Sequence, residues 1–163
     1  MTPLDILIMA AGKGTRMKSR IPKVLQRLGG RALLRHVLDQ AVHLQARSAI
    51  VITGHCATEV EAATAGAASV GGGFDLKFVR QEPQLGTGHA VQQAVPQLQD
   101  DGTVVVLSGD VPLTQADTLR ALVAASQAVP GGQLALLTVT MDDPTGYGRI
   151  VRNADGEVQA IVE

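Results

Sequence analysis

Five short apolar runs, separated by longer stretches with helical spacing, constrain the fold of this chain more than any other feature. The runs cover residues 5–10, 48–53, 76–80, 104–107 and 134–140, and they are rich in valine, isoleucine and leucine. Strand-like runs that alternate with helical segments are typical of βαβ units, in which crossover helices join parallel strands. Because the first, second and fourth runs are continuously apolar, we predict that these strands are buried on both faces of a sheet.

Helical patterns occupy the intervals between these runs. Apolar side chains recur on one face of residues 33–44, which predicts a crossover helix. A second apolar stripe lies within residues 119–126, and we predict that this helix begins with Thr114 as its N-cap. Residues 88–95 also have helical character, and Thr87 is a candidate cap for them. Helices therefore connect most of the predicted strands.

The fold class that follows is α/β, with a Rossmann-like, mostly parallel mixed sheet and helices on both faces. Near the end of the chain, residues 148–152 and 157–162 flank an Asn-Ala-Asp-Gly turn sequence, which predicts a C-terminal β-hairpin. A length of 163 residues suits one ordinary domain. Since no linker, repeat or charge block interrupts the chain, we expect a single domain over residues 1–163.

The predicted topology also indicates where functional residues should lie. Ligands of open α/β sheets bind outside the carboxyl ends of the strands, and crossover connections are almost always right-handed. The loops that follow Ala10, Thr53, Arg80 and Leu107 are therefore expected to share one rim.

Composition excludes several classes of partner. The formal net charge is −1, from 14 basic and 15 acidic residues, so we expect neither a nucleic acid nor a membrane surface as partner. The single cysteine, Cys56, rules out an internal disulfide and fits a reducing compartment. The apolar run at residues 6–11 is too short for a signal core or a membrane span. A cytoplasmic location is expected.

A glycine-rich, basic segment follows the first predicted strand. Gly12 and Gly14 allow close backbone approach, and five cations fall within eleven residues, namely Lys13, Arg16, Lys18, Arg20 and Lys23. The segment matches neither the P-loop pattern nor the dinucleotide fingerprint, which disfavours a P-loop ATPase and a simple NAD site. Glycine spacing alone is explained equally well by a tight turn, but the cations favour a phosphate site. Pro22 restricts the backbone next to Lys23.

Two further rim segments carry polar side chains. Gln81 and Gln84 offer paired amide donors and acceptors that can read the edge of a base, and Gly86 lets the backbone approach it. The alternative is an ordinary polar helix start. Asp110 follows the fourth run, where a carboxylate is either a metal ligand or a turn-former. His89 is expected to be structural or to support another side chain rather than to act as a base.

The motifs together resemble a known family. The sequence AAGKGTRM at residues 10–17, followed by Pro22 and Lys23, is similar to the signature of sugar-1-phosphate nucleotidyltransferases. QEPQLGTGHA at residues 81–90, SGDVPL at 108–113 and TGYGR at 145–149 resemble the uridylyltransferase half of the bacterial bifunctional enzymes that make UDP-N-acetylglucosamine. The match runs in order over essentially the whole chain.

The resemblance implies nucleotidyl transfer from UTP to N-acetylglucosamine 1-phosphate, giving UDP-N-acetylglucosamine and pyrophosphate for cell-wall and lipopolysaccharide precursors. It implies Mg²⁺ as cofactor, with Asp110 as its ligand, and it assigns Arg16 to the departing pyrophosphate and Lys23 to phosphates at the reacting centre. The residues that it implies for substrate binding are Met9, Ala10, Ala11, Gly12, Lys23, Gln81, Gly86, Thr87, Ser108, Gly109, Asp110, Gly148 and Glu163.

The family's nucleotidyltransferase domain continues beyond the position of Glu163, where it supplies one asparagine that contacts the sugar and another that helps hold the metal. Full-length members are homotrimers, and nothing in this sequence resembles the trimer-forming domain. The resemblance therefore implies an incomplete nucleotidyltransferase domain. Two alternatives stay open: an inactive nucleotide-sugar-binding module, and a related transferase with another base or sugar, such as a molybdopterin guanylyltransferase.

Overall fold

A computed structural model describes residues 2–14, 17–67 and 73–162. The chain divides into two compact units, Met1–Gln133 and Leu134–Glu163, and each is treated by itself below. Within the residues described, no helix is long and apolar enough to cross a membrane.

The first unit alternates strands and helices. In chain order its elements are β1 (Leu4–Met9), β2 (Arg27–Leu28), β3 (Arg31–Ala32), α1 (Leu33–His43), β4 (Ser48–Thr53), α2 (Ala57–Thr64), β5 (Asp75–Arg80), α3 (Thr87–Ala94), β6 (Thr103–Ser108) and α4 (Ala116–Ser126). Four strands form a parallel sheet in the order β5-β4-β1-β6, whereas β2 and β3 form a separate small hairpin. The predicted α/β class and the first four predicted strands are confirmed.

The central strands are buried on both faces, as predicted for β1 and β4. Leu7 of β1 lies opposite Ile50 of β4 in the ladder, and both are fully buried. Ile6 and Ile8 point to the other face, because side chains alternate along a strand. There they pack in a cluster that includes Leu34 and Leu38.

Helices cover both faces of this sheet, as predicted. Helix α1 lies on the face of Ile6, and α3 packs on the face of Leu7 through Ala90 and Ala94. The small alanine side chains let the α3 backbone approach the sheet closely.

The structure corrects both predicted helix caps. Helix α4 begins at Ala116 with Gln115 at the N-cap position, so Thr114 is not the cap. The backbone of Gln115 is extended (φ −77°, ψ 146°), which places the helix start one residue later than the sequence pattern indicated. Helix α3 has Gly86 at its N-cap, with a φ of 95° that favours glycine, and Thr87 is already its first helical residue.

The prediction that the fourth run is buried on both faces is wrong. This run becomes β6, an edge strand that pairs with β1, and Val104 and Val106 are 38% and 42% exposed. An edge strand has one neighbour instead of two, so an apolar sequence does not guarantee that both of its faces are covered.

The fifth predicted strand, at residues 134–140, is also wrong. Leu134 and Val139 are 83% and 76% exposed, and the run forms no strand within the part of the chain that the structure describes. A strand is stabilised by hydrogen bonds to a partner, and β-branched and apolar composition does not supply one.

The second unit contains the predicted C-terminal hairpin. Strands β7 (Arg149–Arg152) and β8 (Val158–Val162) pair antiparallel. The Asn153 side-chain oxygen accepts hydrogen bonds from the backbone N–H groups of Asp155 (3.1 Å) and Glu157 (2.8 Å), and Gly156 has a φ of 83°. The turn sequence therefore fixes the hairpin in the way that its Asn and Gly residues indicated.

Candidate active site

The four parallel strands end at one edge of the sheet, which confirms the predicted shared rim. Backbone hydrogen bonds hold the first residue of three rim loops to a neighbouring strand. Ala10 N–H donates to the Ile52 carbonyl (2.8 Å), Gln81 N–H to Thr53 (2.7 Å), and Gly109 N–H to Met9 (2.9 Å). These hydrogen bonds hold the first residue of each loop in a position set by the neighbouring strand.

A cavity of about 340 Å³ opens at this rim beside β1 and β6. Its lining residues are Met9, Ala10, Gly12, Gly14, Met17, Lys23, Val24 and Asp110. Among these described residues, Lys23 is the one cation and Asp110 the one carboxylate, and Met17 and Val24 add apolar surface. Such a mixed wall suits a ligand that carries both apolar and anionic groups.

Lys23 and Asp110 form an ion pair in this cavity. The Lys23 ammonium contacts an Asp110 carboxylate oxygen, and the two side chains are 43% and 25% exposed. Lys23 opens a short 3₁₀ turn, Lys23–Leu25, after the buried Pro22. Because proline fixes its own φ, the backbone that presents the ammonium is restrained.

Gly14 allows the glycine-rich loop to fold back over Lys23. Its φ is +59°, and a Cβ added there would lie only 2.8 Å from the Lys23 Cβ. The carbonyl of Gly14 accepts a hydrogen bond from the Met17 N–H (3.0 Å). The glycine is therefore required both for its left-handed backbone and for space.

Gly109 brings the loop after β6 against β1. A Cβ at this position would lie 3.0 Å from the Met9 carbonyl oxygen and 3.3 Å from Val24 Cγ1. The absence of a side chain lets the chain turn at once after β6, so that Asp110 reaches the cavity.

The loop after β5 is tied to the loop after β1 by Gln84. Its Nε2 donates a hydrogen bond to the Ala11 carbonyl (2.8 Å), which also lies 3.4 Å from the His55 N–H. A Cβ on Gly54 would lie 2.5 Å from Gln84 Nε2 and 2.9 Å from the Ala11 Cβ. The amide nitrogen of Gln84 therefore joins the loop after β5 to the loop after β1, whereas the sequence suggested that this amide could read a base.

Gln81 is buried at the start of the same loop, with 5% of its surface exposed. Its Nε2 donates to the Gly86 carbonyl (2.9 Å) and lies 3.1 Å from His89 Nδ1. The second ring nitrogen of His89, Nε2, lies 3.1 Å from the side-chain nitrogen of Gln93. A continuous polar chain thus runs from the loop into helix α3.

Glu61 and Arg80 brace the rim between α2 and the end of β5. Arg80 donates to both Glu61 carboxylate oxygens, at 2.9 and 2.8 Å, and Thr53 Oγ1 donates to Glu61 Oε1 at 3.0 Å. The hydrogen bonds from Arg80 hold the pKa of Glu61 below its ordinary value, although burial opposes them. This carboxylate is therefore charged and engaged in structure rather than available for proton transfer.

The structure brings many of the predicted site residues together. Met9, Ala10, Gly12, Lys23 and Asp110 line the cavity. The remaining rim residues of the prediction do not line the cavity. Ser108 is the last residue of β6, and those that follow β1, β5 or β6 are Ala11, Gln81, Gly86, Thr87 and Gly109.

Three predicted residues are not placed at this rim. Gly148 belongs to the second unit, and Arg16 and Glu163 lie outside the described residues. The structure also adds residues that the sequence reasoning did not assign to the site. Gly14 and Met17 were visible in the glycine-rich motif, whereas Val24 and Gly54 carried no sequence signal because their roles depend on contacts across loops.

Among the described residues that line the cavity, Asp110 is the one carboxylate that could bind a metal. Asp110 offers the hard oxygen that Mg²⁺ prefers, and the residues described contain no cluster of three or more His, Cys, Asp or Glu side chains that could hold an ion alone. Mg²⁺ is commonly bound by one or two carboxylates together with substrate phosphates and water. These residues fit a cation that arrives with a phosphate ligand.

A parallel sheet whose carboxyl edge presents a glycine-rich loop, a lysine and an aspartate around one cavity is typical of α/β enzymes that bind phosphate-bearing ligands. The comparison with protein families agrees with this class. The chain belongs to the MobA-like NTP transferase domain family, whose sequence profile matches residues 6–151.

The curated relatives specify the resemblance further. The chain is 77% identical over 163 residues to the bifunctional protein GlmU of Acidovorax sp. (strain JS42), a match that covers all of this chain and 34% of the relative. The GlmU protein of Cellvibrio japonicus is 54% identical over 160 residues, with 98% of this chain and 33% of the relative covered. The chain thus spans about a third of the length of these relatives. The resemblance inferred from the motifs is confirmed.

Solved structures share the fold. HddC from Yersinia pseudotuberculosis matches with a TM-score of 0.72 and 22% identity, over all of this chain and 69% of that protein. This likeness concerns the fold alone.

Proposed function

We propose that this chain is the nucleotide-binding part of a uridylyltransferase that converts UTP and N-acetylglucosamine 1-phosphate into UDP-N-acetylglucosamine and pyrophosphate. The 77% identity to a GlmU protein over the whole chain supports this choice of substrates. In the cell such a product would feed cell-wall and lipopolysaccharide precursors, from a cytoplasmic enzyme.

The observation that carries the proposal is the meeting of Lys23 and Asp110 in a cavity walled by the glycine-rich loop. A single unit charge 4 Å from another contributes about 4 kcal/mol at an effective dielectric of about 20. Both substrates are anionic, so charge neutralisation is the main requirement of the reaction. The cavity holds one positive group for phosphate and one negative group for a metal at the same place.

The reaction is an in-line displacement at phosphorus. A phosphate oxygen of the sugar phosphate forms a bond to the α-phosphorus of UTP. The bond from that phosphorus to the oxygen bridging to the β-phosphate breaks, and pyrophosphate leaves with the electron pair. The nucleophile is already anionic, so no general base is needed, and positioning with charge stabilisation carries the catalysis.

Each charged residue has a role in this proposal. Lys23 leaves Asp110 and binds phosphate oxygens when substrate enters, because the negative charge of a triphosphate exceeds that of one carboxylate. Asp110 would hold Mg²⁺ together with phosphate oxygens, and the metal would neutralise charge on the reacting phosphates. Arg16 is assigned to the departing pyrophosphate on the resemblance of its motif.

The base and the sugar are assigned to other segments. Gln81, Gly86 and Thr87 form the base side of the site, next to the glycine-rich loop to which Gln84 ties them. Gly148 and Glu163 are proposed to contact the N-acetylglucosamine moiety, on the resemblance alone.

The decisive experiment combines binding with turnover. Calorimetric titration of the chain with UTP, CTP and GTP in the presence of Mg²⁺ should give tightest binding for UTP. A pyrophosphate-release assay with N-acetylglucosamine 1-phosphate then tests catalysis. UTP binding without pyrophosphate release would favour a binding module over an active enzyme, and a preference for GTP would overturn the choice of base.

A further inference from the structure

Gln81 and His89 form a hydrogen-bonded pair, termed the relay below, whose role charge neutralisation does not explain. It fixes the orientation of a buried side-chain amide at the rim. Gln81 is 5% exposed, and its Nε2 contacts both the Gly86 carbonyl and His89 Nδ1.

The Gly86 carbonyl determines which end of the Gln81 amide is the nitrogen. A carbonyl oxygen only accepts hydrogen bonds, so the atom 2.9 Å away must be the NH₂ group. The same carbonyl accepts the Ala90 N–H of helix α3 at 3.1 Å, which holds it in place. One hydrogen of Gln81 Nε2 is thus committed to Gly86, and the other points to His89.

His89 must then present a lone pair at Nδ1. A neutral imidazole has one N–H and one acceptor nitrogen, so acceptance at Nδ1 puts the hydrogen on Nε2. Gln93 contributes nothing to this assignment, because the atom of its amide that lies 3.1 Å from Nε2 is the nitrogen, which is itself a donor. The Gly86 carbonyl thus fixes the tautomer of His89 through Gln81, and the His89 ring holds the second hydrogen of the Gln81 amide.

With both of its hydrogens engaged, Gln81 presents its carbonyl Oε1 as the atom left for a ligand. Among the residues described, no group donates to Oε1. Within the same residues, a fully buried side-chain atom without a partner is found at Gln40 and not at Gln81, so Gln81 Oε1 keeps some exposure to solvent. Gln81 Oε1 is therefore an accessible acceptor that cannot exchange places with its NH₂ group without breaking two hydrogen bonds.

We propose that His89 is a positioning residue for base selection, which holds Gln81 Oε1 as a hydrogen-bond acceptor for a base that carries an imide N–H. This inference rests on the proposed function. Uracil has such an N–H at its N3, whereas cytosine has a lone pair at the same position. Two acceptors that face each other repel, and a buried acceptor without a donor costs binding free energy. The relay thus selects uridine over cytidine nucleotides.

Two variants test the relay by calorimetric titration of the chain with UTP and CTP in the same Mg²⁺ buffer. His89→Leu removes the acceptor at Nδ1, so Gln81 can rotate, and we expect the ratio of UTP to CTP affinity to fall by about tenfold. His89→Asn puts an amide oxygen near the position of Nδ1 and should keep the ratio within about threefold of the wild type.

The readout separates positioning from a structural role. A merely structural histidine would weaken both nucleotides alike, leaving the ratio unchanged in His89→Leu, and that result would overturn the inference. Thermal unfolding by circular dichroism monitors the fold. If His89→Leu does not fold, His89→Phe, which keeps an aromatic ring and removes the acceptor, decides: an unchanged ratio in that variant overturns the relay.

Failure of the inference can be distinguished from failure of the proposed function. A wild-type chain that binds neither nucleotide, or that does not prefer UTP, contradicts the proposed function and the relay together. A wild-type chain that prefers UTP, with the same preference in His89→Leu, leaves the proposed function standing and removes the relay alone.

Discussion

Gln84 Nε2 donates a hydrogen bond of 2.8 Å to the carbonyl of Ala11, so the loop after β5 is joined to the loop after β1 across the end of β4. The contact forms over Gly54, whose hydrogen atoms leave room for both groups. Two segments assigned to different parts of a nucleotide are thereby held at a fixed separation. Fixed spacing between binding groups lowers the entropy that a ligand must lose when it binds.

The first prediction concerns this close approach. Gly54→Ala would bring a Cβ 2.5 Å from Gln84 Nε2 and 2.9 Å from the Ala11 Cβ, so both loops must move. We expect a loss of about 1–3 kcal/mol in the free energy of unfolding, because overpacking forces side chains and backbone apart. Urea denaturation of the variant and the wild type measures this loss.

Gly88→Ala is the matched control for Gly54→Ala. Gly88 is the second residue of helix α3, and a Cβ there meets nothing within 4 Å. Alanine is more stable than glycine by about 0.5–1 kcal/mol in a helix interior and by less in the first turn, so this variant should keep its stability or gain slightly. Equal stability of Gly54→Ala and wild type would contradict the tight contact seen at Gly54.

A second prediction compares the two glycines of the phosphate loop. Gly14 has a φ of +59° and faces the Lys23 Cβ, whereas Gly12 has open space around it. Gly14→Ala should cost about 1–2 kcal/mol in the free energy of unfolding, and Gly12→Ala less than about 0.5 kcal/mol. Chemical denaturation of both variants measures the difference, and equal losses would show that the loop does not fold over Lys23.

The third prediction tests the ion pair in the cavity. Both side chains are partly exposed, so Asp110→Asn should lower the free energy of unfolding by no more than about 1 kcal/mol. Under the proposed function it should remove the enhancement of UTP binding by Mg²⁺, because a neutral amide is a poor ligand for that ion. Titration with UTP, with and without Mg²⁺, checks this.

Asp39→Asn is the control for Asp110→Asn. Asp39 of α1 is 29% exposed, pairs with Arg31 of β3 and with Arg35 of α1, and does not line the cavity. It should show a similar small loss of stability with normal Mg²⁺ dependence. Mg²⁺-enhanced UTP binding that persists in Asp110→Asn would remove this carboxylate from the metal site.

The sequence predicted the parts of the fold whose burial follows from local pattern. The continuous apolar run of β4 and the helical stripe of α1 both match the structure, because each depends on residues within one segment. The run that became β6 has equally apolar residues, yet Val104 and Val106 are exposed because β6 lies at the sheet edge. Whether a strand has one neighbour or two is a property of the topology and not of the strand.

In the candidate site, too, some positions follow from the sequence and others depend on contacts between distant segments. The cavity position of Lys23 and Asp110 could be predicted, because the ends of parallel strands meet at one rim. The actual partner of the Gln84 amide could not, because it depends on the distance between two loops that are far apart in the chain. Likewise, nothing local to residues 134–140 indicated that this run forms no strand.

The fourth prediction concerns the opposite end of the sheet, where Asp5 is 2% exposed. Arg47 donates to both of its carboxylate oxygens, and Ser48 Oγ donates at 2.7 Å. Burial raises the pKa of Asp5, but these hydrogen bonds and the charge of Arg47 outweigh it, so the pKa lies below the ordinary value of 3.8. Asp5→Asn leaves Arg47 partly exposed and bonded to Gln99 and Asp101 but removes the buried carboxylate, so this variant should lose about 1–3 kcal/mol at neutral pH.

Asp101 provides the control for Asp5, since Arg47 also donates to it at 2.7 Å, but its side chain is 62% exposed. Asp101→Asn should therefore cost less than about 1 kcal/mol.

The pH dependence of the Asp5 contribution follows from the direction of its pKa shift. A carboxyl group whose pKa is lower in the folded state contributes its full stabilisation above its unfolded pKa, near 3.8, and loses it as the pH falls through the folded value. The difference in free energy of unfolding between wild type and Asp5→Asn should thus be constant from pH 7 to about pH 5 and shrink below about pH 4. Urea denaturation across this range measures the difference, and a gap that widens toward acid would contradict the lowered pKa of Asp5.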